Sequence, residues 1–352
     1  MGSLEIGVEP LRAPAEKEAP EGSSQRSALS EAEGDAAYWK PQSKAWLALG
    51  GASFFFALAV DVLVPSVQTV KPTAYRIFVG AFPLALFAFY AASGWLLRLR
   101  RELLHKAQFI FATGVTLAVW DLLSTKSGIL PLPFFPGPVQ ILQVMAEDWR
   151  MLLISSAYSM RLFFAGLITG ALLGIVTGVL IGWNRQWFYW AYPLLKISGV
   201  IPAVAWIPIA MVVLPTSFMG GVFLIAVASW FPIAFMMAVG IASTPKAYYE
   251  VARTLGAGEM FLLFRIAIPN AMPSIFIGIS TATSVSFATL VVSEMIGAKA
   301  GLGWYLNWAK GWSAYSKVYA AIVIMAVAFS AILAAIDAVK RRILRWQKGL
   351  VK

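Results

Sequence analysis

Runs of apolar residues long enough to cross a lipid bilayer constrain this chain more than any other feature. A transmembrane helix needs about 20 predominantly apolar residues, and eight stretches approach or exceed that length. The sequence therefore predicts an all-α, polytopic membrane protein. The predicted spans are approximately residues 45–64, 74–97, 108–124, 152–182, 188–214, 220–242, 270–293 and 317–339.

The composition supports a membrane location and excludes several other classes of protein. Of the 352 residues, 59% are hydrophobic and 13% are charged, whereas about a quarter are charged in soluble domains. The net charge of +11 comes largely from basic residues beside the apolar runs. This is the positive-inside pattern of membrane proteins, not a nucleic-acid-binding face. The chain has no cysteine, so disulfides and thiolate chemistry are excluded.

The basic residues also predict the orientation of the chain. If all eight spans cross, the basic segments fall on one side of the membrane, which becomes the cytoplasmic side. Both termini are then cytoplasmic. The carboxylates Asp61, Asp121 and Asp337 lie near span ends, where water is close, and are interpreted as topology markers. The basic segments are Arg98–Lys106, Arg185, Lys246–Arg265 and Lys340–Lys352.

Prolines recur around the fifth predicted span. In lipid, a proline break persists only where neighbouring helices or a polar cavity satisfy the freed carbonyl groups. Residues 196–215 are therefore predicted to form a bent, protein-covered helix that lines a path, with simple kinking as the alternative. The prolines are Pro193, Pro202, Pro208 and Pro232.

One span carries glycine at every fourth residue. Because each residue advances about 100° around a helix axis, these glycines form one continuous shallow groove. Such a face lets a second transmembrane helix approach closely. Static helix packing and a surface that slides during transport are both compatible with it. The predicted packing residues are Gly166, Gly170, Gly174, Gly178 and Gly182.

The sequence offers no recognisable catalytic chemistry. No phosphate-binding Gly-x-x-x-x-Gly-Lys-Ser/Thr motif is present. His105, the single histidine, lies among basic residues at a membrane edge, where it is predicted to be a solvated side chain, and a histidine-rich metal site cannot form. We therefore predict that the chain is not an enzyme and holds no cofactor or metal of its own.

Polar residues within the apolar spans are candidates for a translocation path, because ionisable groups inside a membrane are functional by default. Hydroxyl groups on one half of a helix can replace water around a small polar solute. They also bond back to their own helix backbone, and that alternative stays open. The candidates are Arg161, Thr283, Ser286, Thr289, Ser293 and Glu294.

A polar segment between two spans has the pattern of a protein-docking loop. A helix is predicted to start near Pro245 and to end at Gly256, which suits a left-handed cap. A second short helix is predicted to run to Pro269. Two short helices can transmit force, whereas a flexible connector of the same length cannot. An ordinary amphipathic connector is the alternative.

The spacing Glu-x-Ala-x-x-x-Gly, nine residues, Ile-x-Ile-Pro in this segment resembles the cytoplasmic EAA loop of ABC-importer permeases. From about Leu130 to Trp346 the chain resembles permeases of the nitrate/sulfonate/bicarbonate/taurine importer family. The resemblance implies a type I fold with six core helices, here preceded by two extra helices. By this resemblance, the ATPase-coupling residues are Glu250, Ala252, Arg253, Gly256, Ile266 and Pro269. The other matching stretches are Leu130–Pro138, Ser159–Gly166, Ile201–Pro208, Ser293–Ile296 with Gly301–Gly303, and Arg342–Trp346.

The resemblance also implies partners and a domain organisation. It implies a homodimeric pore in the bacterial inner membrane, two ABC ATPase subunits that bind ATP and Mg²⁺, and an extracytoplasmic substrate-binding protein. The predicted domains are a disordered cytoplasmic tail (1–44), an accessory two-helix segment with a basic loop (45–107), the permease domain (108–342) with its coupling loop (243–269), and a basic cytoplasmic C-terminus (343–352).

The predicted function is ATP-driven import of a small anion by alternating access. Nitrate, bicarbonate, taurine and other sulfonates are the candidate solutes, and the sequence does not choose between them. Two alternatives of other classes are an ion-coupled secondary transporter, which needs titratable groups near mid-bilayer, and a membrane scaffold that recruits a soluble partner.

Overall fold

A computed structural model describes residues 44–92 and 97–349, and every regular element in these ranges is helical, as predicted. Apart from Lys44, the predicted tail lies outside the described residues. The helices are α1 (Lys44–Leu63), α2 (Thr73–Ala92), α3 (Leu97–Asp121), α4 (Pro138–Glu147), α5 (Trp149–Trp183), α6 (Arg185–Val200), α7 (Ile207–Val213), α8 (Ser217–Ala242), α9 (Lys246–Thr254), α10 (Glu259–Phe261), α11 (Ile268–Gly297), α12 (Leu302–Gly311) and α13 (Tyr315–Ile343).

Short turns of other helix types extend or join these elements. A π-helical turn follows α3 at Leu122–Lys126, and another joins α10 to α11 at Leu262–Ala267. A 3₁₀ turn at Ala203–Trp206 precedes α7, and a second follows α13 at Leu344–Gly349. Because α10, the π turn and α11 follow one another without a break, they form one long helical span from Glu259 to Gly297.

Contacts divide the described chain into two compact units. The smaller contains residues 44–56, 80–92 and 97–116, and the larger contains 57–79 and 117–349. In the smaller unit, Leu47 of α1, Leu86 of α2 and Ala107 of α3 form a buried apolar cluster. The larger unit contains the predicted glycine groove, the docking loop and the path residues.

Seven helices in the described residues are long and apolar enough to cross a membrane, and the predicted fifth span differs from the others. It is split into α6 and a second segment, Ala203–Val213, with an angle of 91° between them. The break falls at Ile201 and Pro202, which have extended backbone conformations. The bend expected from the prolines is therefore present.

The basic segment after α2 also differs from the prediction of a loop. The structure begins α3 at Leu97, so the chain is already helical where the basic residues occur. Arg, Leu, Glu and Lys, which dominate this stretch, are strong helix formers. The apolar span itself starts at Leu104 and continues to Lys126.

The glycines of α5 pack directly against α8. An ideal Cβ on Gly166 would lie 2.5 Å from the Ile225 side chain, and one on Gly170 would lie 2.4 Å from the Ala226 carbonyl oxygen. Gly174 and Gly178 approach α8 in the same way one and two turns further on, and Gly182 meets its last turns. Contact at this distance leaves no room for a side chain, so glycine is required by packing.

The register of this contact shows that α5 and α8 are parallel. Gly166 lies at the level of Ile225 and Gly182 lies at the level of Ile241, so both helices advance in the same direction. The chain between Trp183 and Ser217 must therefore return across the thickness of the domain. The bent pair makes this return: Gly199 lies at the level of Phe231, and Ala210 faces Gly220 near the start of α8.

We expect Gly170→Ala to destabilise the protein because the new methyl group would meet the α8 backbone. Overpacking of a well-filled core typically costs about 1–3 kcal/mol. Thermal unfolding of the purified protein in detergent measures the effect. Gly311→Ala is the matched control, since nothing lies within 4 Å of a Cβ there. Equal melting temperatures for the two variants would contradict the packing argument.

A buried ion pair joins the end of α1 to the π turn after α3. Lys126 Nζ donates to the Asp61 carboxylate (3.2 Å) and to the Asp61 carbonyl oxygen (2.8 Å), and both side chains are at most 2% exposed. Arg76, in the first turn of α2, donates to the same carboxylate at 2.6 Å. Asp121 is also fully buried. The interpretation of Asp61 and Asp121 as water-exposed topology markers is therefore wrong, since neighbouring helices cover both side chains.

Candidate functional site

The predicted docking loop begins with a short helix whose end is fixed by Gly256. This residue follows α9 with φ of +84°. The Ala257 amide donates to the Ala252 carbonyl and the Gly256 amide donates to the Arg253 carbonyl, both at 3.0 Å. This is the Schellman pattern of helix termination, so the predicted left-handed cap is confirmed. Pro245 is the residue just before α9, not its first helical residue.

The second half of the loop corrects the prediction that a short helix ends at Pro269. Pro269 is instead the second residue of α11, and the chain passes into it through the π turn that contains Ile266. A proline is tolerated near the beginning of a helix, where its missing amide donor is not needed. The loop is therefore continuous with a membrane span.

The two short helices of the loop are tied together across Gly256. Arg253 donates to the Glu259 carboxylate at 2.9 Å, and both side chains are more than half exposed. An exposed pair of this kind contributes little stability. Ala252, by contrast, is buried and faces the interior. The predicted coupling residues thus include a buried anchor and several exposed polar groups.

Exposed apolar side chains cover the outer surface of the loop. Leu255 is 83% exposed and Met260 is 69% exposed, although Leu262 immediately behind them is fully buried. Six exposed large apolar side chains within residues 248–264 are typical of a surface that another protein covers. The other exposed apolar residues are Tyr248, Val251, Phe261 and Phe264.

A polar cleft lies beside this apolar patch. It has a volume of about 460 Å³ and is bounded by the end of α5 and by both short helices. Glu250 and Arg253 line it together with the rings of Trp183 and Tyr249, which meet edge to face at 5.8 Å. The cleft therefore combines charged groups with aromatic walls, next to the end of the glycine-rich helix.

Glu294, a predicted path residue, lies in a buried hydrogen-bond network. Its two carboxylate oxygens accept from the Ser159 hydroxyl at 2.7 and 2.9 Å, and one accepts from the Gly303 amide at 2.8 Å. The Leu302 amide in turn donates to Ser159 at 2.8 Å. The network joins α5, α11 and the start of α12. Gly301 has φ of +122°, and a Cβ there would lie 2.4 Å from the Glu294 carboxylate.

The hydroxyls predicted on the path are buried between helices in this conformation. Thr283 and Thr289 donate to carbonyl oxygens of their own helix, and Ser286 donates to the Ile225 carbonyl of α8 at 3.4 Å. Ser293 also donates to its own helix. Arg161 differs, because its guanidinium is exposed and lies 4.9 Å from the centre of the Phe218 ring. Contact of these residues with a solute stays a prediction.

A network near the start of α5 was not predicted from the sequence. The Asp148 carboxylate accepts from Tyr305 of α12 at 2.7 Å and from Lys317 of α13 at 2.6 Å. Burial acts to raise the pKa of Asp148, but the hydrogen bonds from Lys317 and Tyr305 outweigh it and hold that pKa below 3.8, its ordinary value. Burial and the hydrogen bond to Asp148 raise the pKa of Tyr305.

The Asp148 network predicts a pH dependence of stability. Because folding lowers the pKa of Asp148, its contribution is present above the ordinary pKa and is lost as the pH falls through the folded-state pKa. We expect the difference in melting temperature between the wild-type protein and Asp148→Asn to shrink as the pH falls from 7 to 3. A difference that stays constant over this range would contradict the assignment.

Catalytic and metal-binding arrangements do not emerge from the described residues. Within residues 44–92 and 97–349, no group of three or more His, Asp and Glu side chains could hold a metal ion. The features that stand out are instead a capped two-helix loop with exposed apolar residues and closely packed helices. Together they define a multi-pass helical membrane protein.

Comparison with known proteins assigns the chain to a family. The family described as "Binding-protein-dependent transport system inner membrane component" matches residues 153–348. The chain belongs to this family, which comprises transport components, not catalytic enzymes. The matched region contains the glycine-rich helix, the docking loop and the Glu294 network.

Individual relatives agree with this placement. A probable ABC transporter permease protein of Haemophilus influenzae is 26% identical over 61% of this chain and 88% of its own length. The nitrate import permease protein NrtB of Leptolyngbya laminosa is 26% identical over 59% of this chain and 77% of its own. The putative aliphatic sulfonates transport permease protein SsuC of Bacillus subtilis is 26% identical over 67% and 86%, respectively.

Proposed function

We propose that the chain is the membrane subunit of an ATP-driven importer that moves a small anion into the cytoplasm. The observation that carries this proposal is the docking loop, in which a capped helix presents exposed apolar residues next to a charged cleft. An ATPase subunit that binds both surfaces would move the long span from Glu259 to Gly297 directly. The nitrate and sulfonate relatives support an anion as the solute.

The proposed assembly is a homodimer with two ATPase subunits, which bind ATP and Mg²⁺, and an extracytoplasmic binding protein. With the bent pair counted as one crossing, the described chain crosses the membrane eight times. The docking loop and both ends of the chain then share one side. The basic residues of the loop and of the last turn of α13 make that side cytoplasmic.

An ion-coupled carrier is less compatible with the placement of the carboxylates. Such a carrier needs titratable groups near mid-bilayer, whereas the buried carboxylates of the described spans lie near helix ends. Asp61 is three residues from the start of the α1–α2 connection, Asp121 ends α3, and Glu294 lies in the last turn of α11.

Reconstitution of this chain with a candidate ABC ATPase subunit tests the proposal. The complex is reconstituted into proteoliposomes with the cognate binding protein outside. Complexes whose loop faces the vesicle interior should import labelled nitrate or an organic sulfonate only when ATP is enclosed in the vesicles. A non-hydrolysable ATP analogue is the control. Equal uptake without ATP, driven by an ion gradient, would contradict the proposal and would identify the protein as a secondary carrier.

A further inference from the structure

The break between α6 and α7 lies at the middle of the membrane domain. Gly199, at the end of α6, contacts the ring of Phe231, which is close to the midpoint of α8. On the other side of the break, Ala203 and Ala228 line one cavity. Since α8 is 26 residues long, or about 39 Å, the irregular backbone lies far from both membrane surfaces.

Two backbone defects meet at this level. Pro202 lies in the break, and Pro232 lies inside α8, where it cannot donate to the carbonyl of Ala228 four residues earlier. The residue before Pro202, Ile201, is 39% exposed. Irregular backbone at this depth is tolerated only where protein covers it or where it lines a water-filled cavity. This face of the subunit is therefore turned away from lipid.

A cavity of about 400 Å³ opens where these defects meet. None of its lining residues carries a charge, and the stacked rings of Phe231 and Phe235 form an apolar wall. The hydroxyl group of Thr281 differs from neighbouring hydroxyl groups in its hydrogen bonding. Hydroxyls elsewhere between residues 280 and 294 form hydrogen bonds within the protein, but none is found for Thr281 among the described residues.

A larger groove on another face of the same subunit lacks these features. It has a volume of about 720 Å³ and lies between the parallel helices α5 and α8. Apart from Leu214, which follows α7, its lining residues belong to regular helix, and the hydroxyls of Thr169 and Thr177 donate to carbonyls of α5. Such a surface suits contact with acyl chains or another apolar helix. Arg161 lies over Phe218 at one end of it.

We infer that the cavity at the break is the mid-membrane solute site and that it takes an organic anion with an apolar or aromatic body. The inference rests on the proposed function and specifies its solute. A volume of about 400 Å³ is typical of sites for organic ligands. The rings hold the body of the solute, and Thr281 donates to its acidic group. An oxyanion as small as nitrate offers no apolar surface to such walls.

Single thiols test the location of the site. The chain has no cysteine, so each introduced thiol is unique in it. We expect Val285→Cys, which lines the cavity, to react with a membrane-impermeant sulfonated methanethiosulfonate at least about tenfold faster than Leu173→Cys in the groove. The reactive species is the thiolate, which forms readily only where water reaches it. Equal rates, or faster reaction at Leu173→Cys, would overturn the assigned location.

Protection against this reaction tests the class of solute. We expect benzenesulfonate to slow modification of Val285→Cys in the assembled complex, and nitrate at the same concentration to have no effect. Equal protection by the two anions, or protection by nitrate alone, would overturn the solute class. An ethanesulfonate arm separates a need for an aromatic body from a need for any apolar body.

Uptake by Thr281→Val separates failure of this inference from failure of the proposed function. Loss of one hydrogen bond should lower benzenesulfonate uptake at low concentration by roughly three- to tenfold, with ATPase binding unchanged. If the wild-type complex imports benzenesulfonate with ATP but the variant is equally active, only the cavity assignment fails. If the wild-type complex shows no ATP-driven uptake of any anion, the proposed function itself fails.

Discussion

Gly256→Val is expected to leave the protein folded and inserted in the membrane but to abolish ATP-driven uptake. Gly256 has φ of +84°, and a β-branched residue in this conformation costs about 1–3 kcal/mol. Nothing lies within 4 Å of a Cβ at this position, so the effect comes from the backbone and not from a clash. The strain removes the Schellman bonds to Ala252 and Arg253, and α9 then loses its fixed angle to the rest of the loop.

Gly258→Val is the matched control for this prediction. Gly258 lies two residues further along the same loop, also with nothing within 4 Å of a Cβ, but with φ of −79° and ψ of 168°. Valine adopts that extended conformation readily. Co-purification with the ATPase and uptake in proteoliposomes should be lost for Gly256→Val and kept for Gly258→Val. Normal uptake by both variants would mean that the cap does not couple the subunits.

Local chemistry explains why this part of the loop could be predicted and the next part could not. The left-handed cap depends on the intrinsic freedom of glycine at one position, which the sequence displays directly. The predicted end at Pro269 failed because a π turn lets the helix continue through the proline. Leu262 and Leu263 of this turn are buried, and no local sequence pattern predicted the turn.

Spacing along one helix likewise predicted a face but not its partner. The recurrence of glycine at every fourth residue of α5 identified a close-packing surface. That α8 occupies it, and in a parallel orientation, follows from contacts about 60 residues apart in the sequence, such as Gly170 with Ser229. Parallel packing then requires the intervening chain to return across the domain, and the bent pair makes that return.

Glu294 shows the same limit for a polar residue. Its position in an apolar span marked it as unusual, but its partner Ser159 is 135 residues away. The glycines at 301 and 303 were a usable signal, because two small residues so close together indicate that another group approaches the backbone. That group is the Glu294 carboxylate itself. The sequence thus identified the participants in this network without showing that they meet.

The environment of the charged residues near the ends of the first spans was predicted wrongly from the sequence. Positive-inside reasoning treats a lysine such as Lys126 as a marker of a loop, and an aspartate such as Asp61 as water-exposed. The structure pairs them in the interior, together with Arg76. That residues 45–107 are accessory to transport stays a prediction. The contacts of Asp61 nevertheless mean that the end of α1 contributes to the stability of the larger unit.

Asp61→Asn is expected to destabilise the protein strongly. It removes the carboxylate that binds both Lys126 and Arg76, and Lys126 is only 2% exposed. Removing one partner of a buried ion pair typically costs about 3–5 kcal/mol, because the remaining charge is left uncompensated. Thermal unfolding in detergent, followed by tryptophan fluorescence, measures the loss. Glu259→Gln is the control, since it breaks an exposed pair with Arg253 that contributes less than about 1 kcal/mol.

The double variant Asp61→Asn/Lys126→Met distinguishes electrostatics from packing. Methionine approximates the length of the lysine stem without its charge, so the double variant buries no unpaired lysine and should be more stable than Asp61→Asn alone. If Asp61→Asn has the same melting temperature as the wild-type protein, or if the double variant is no more stable than Asp61→Asn, the ion pair does not stabilise this end of the domain.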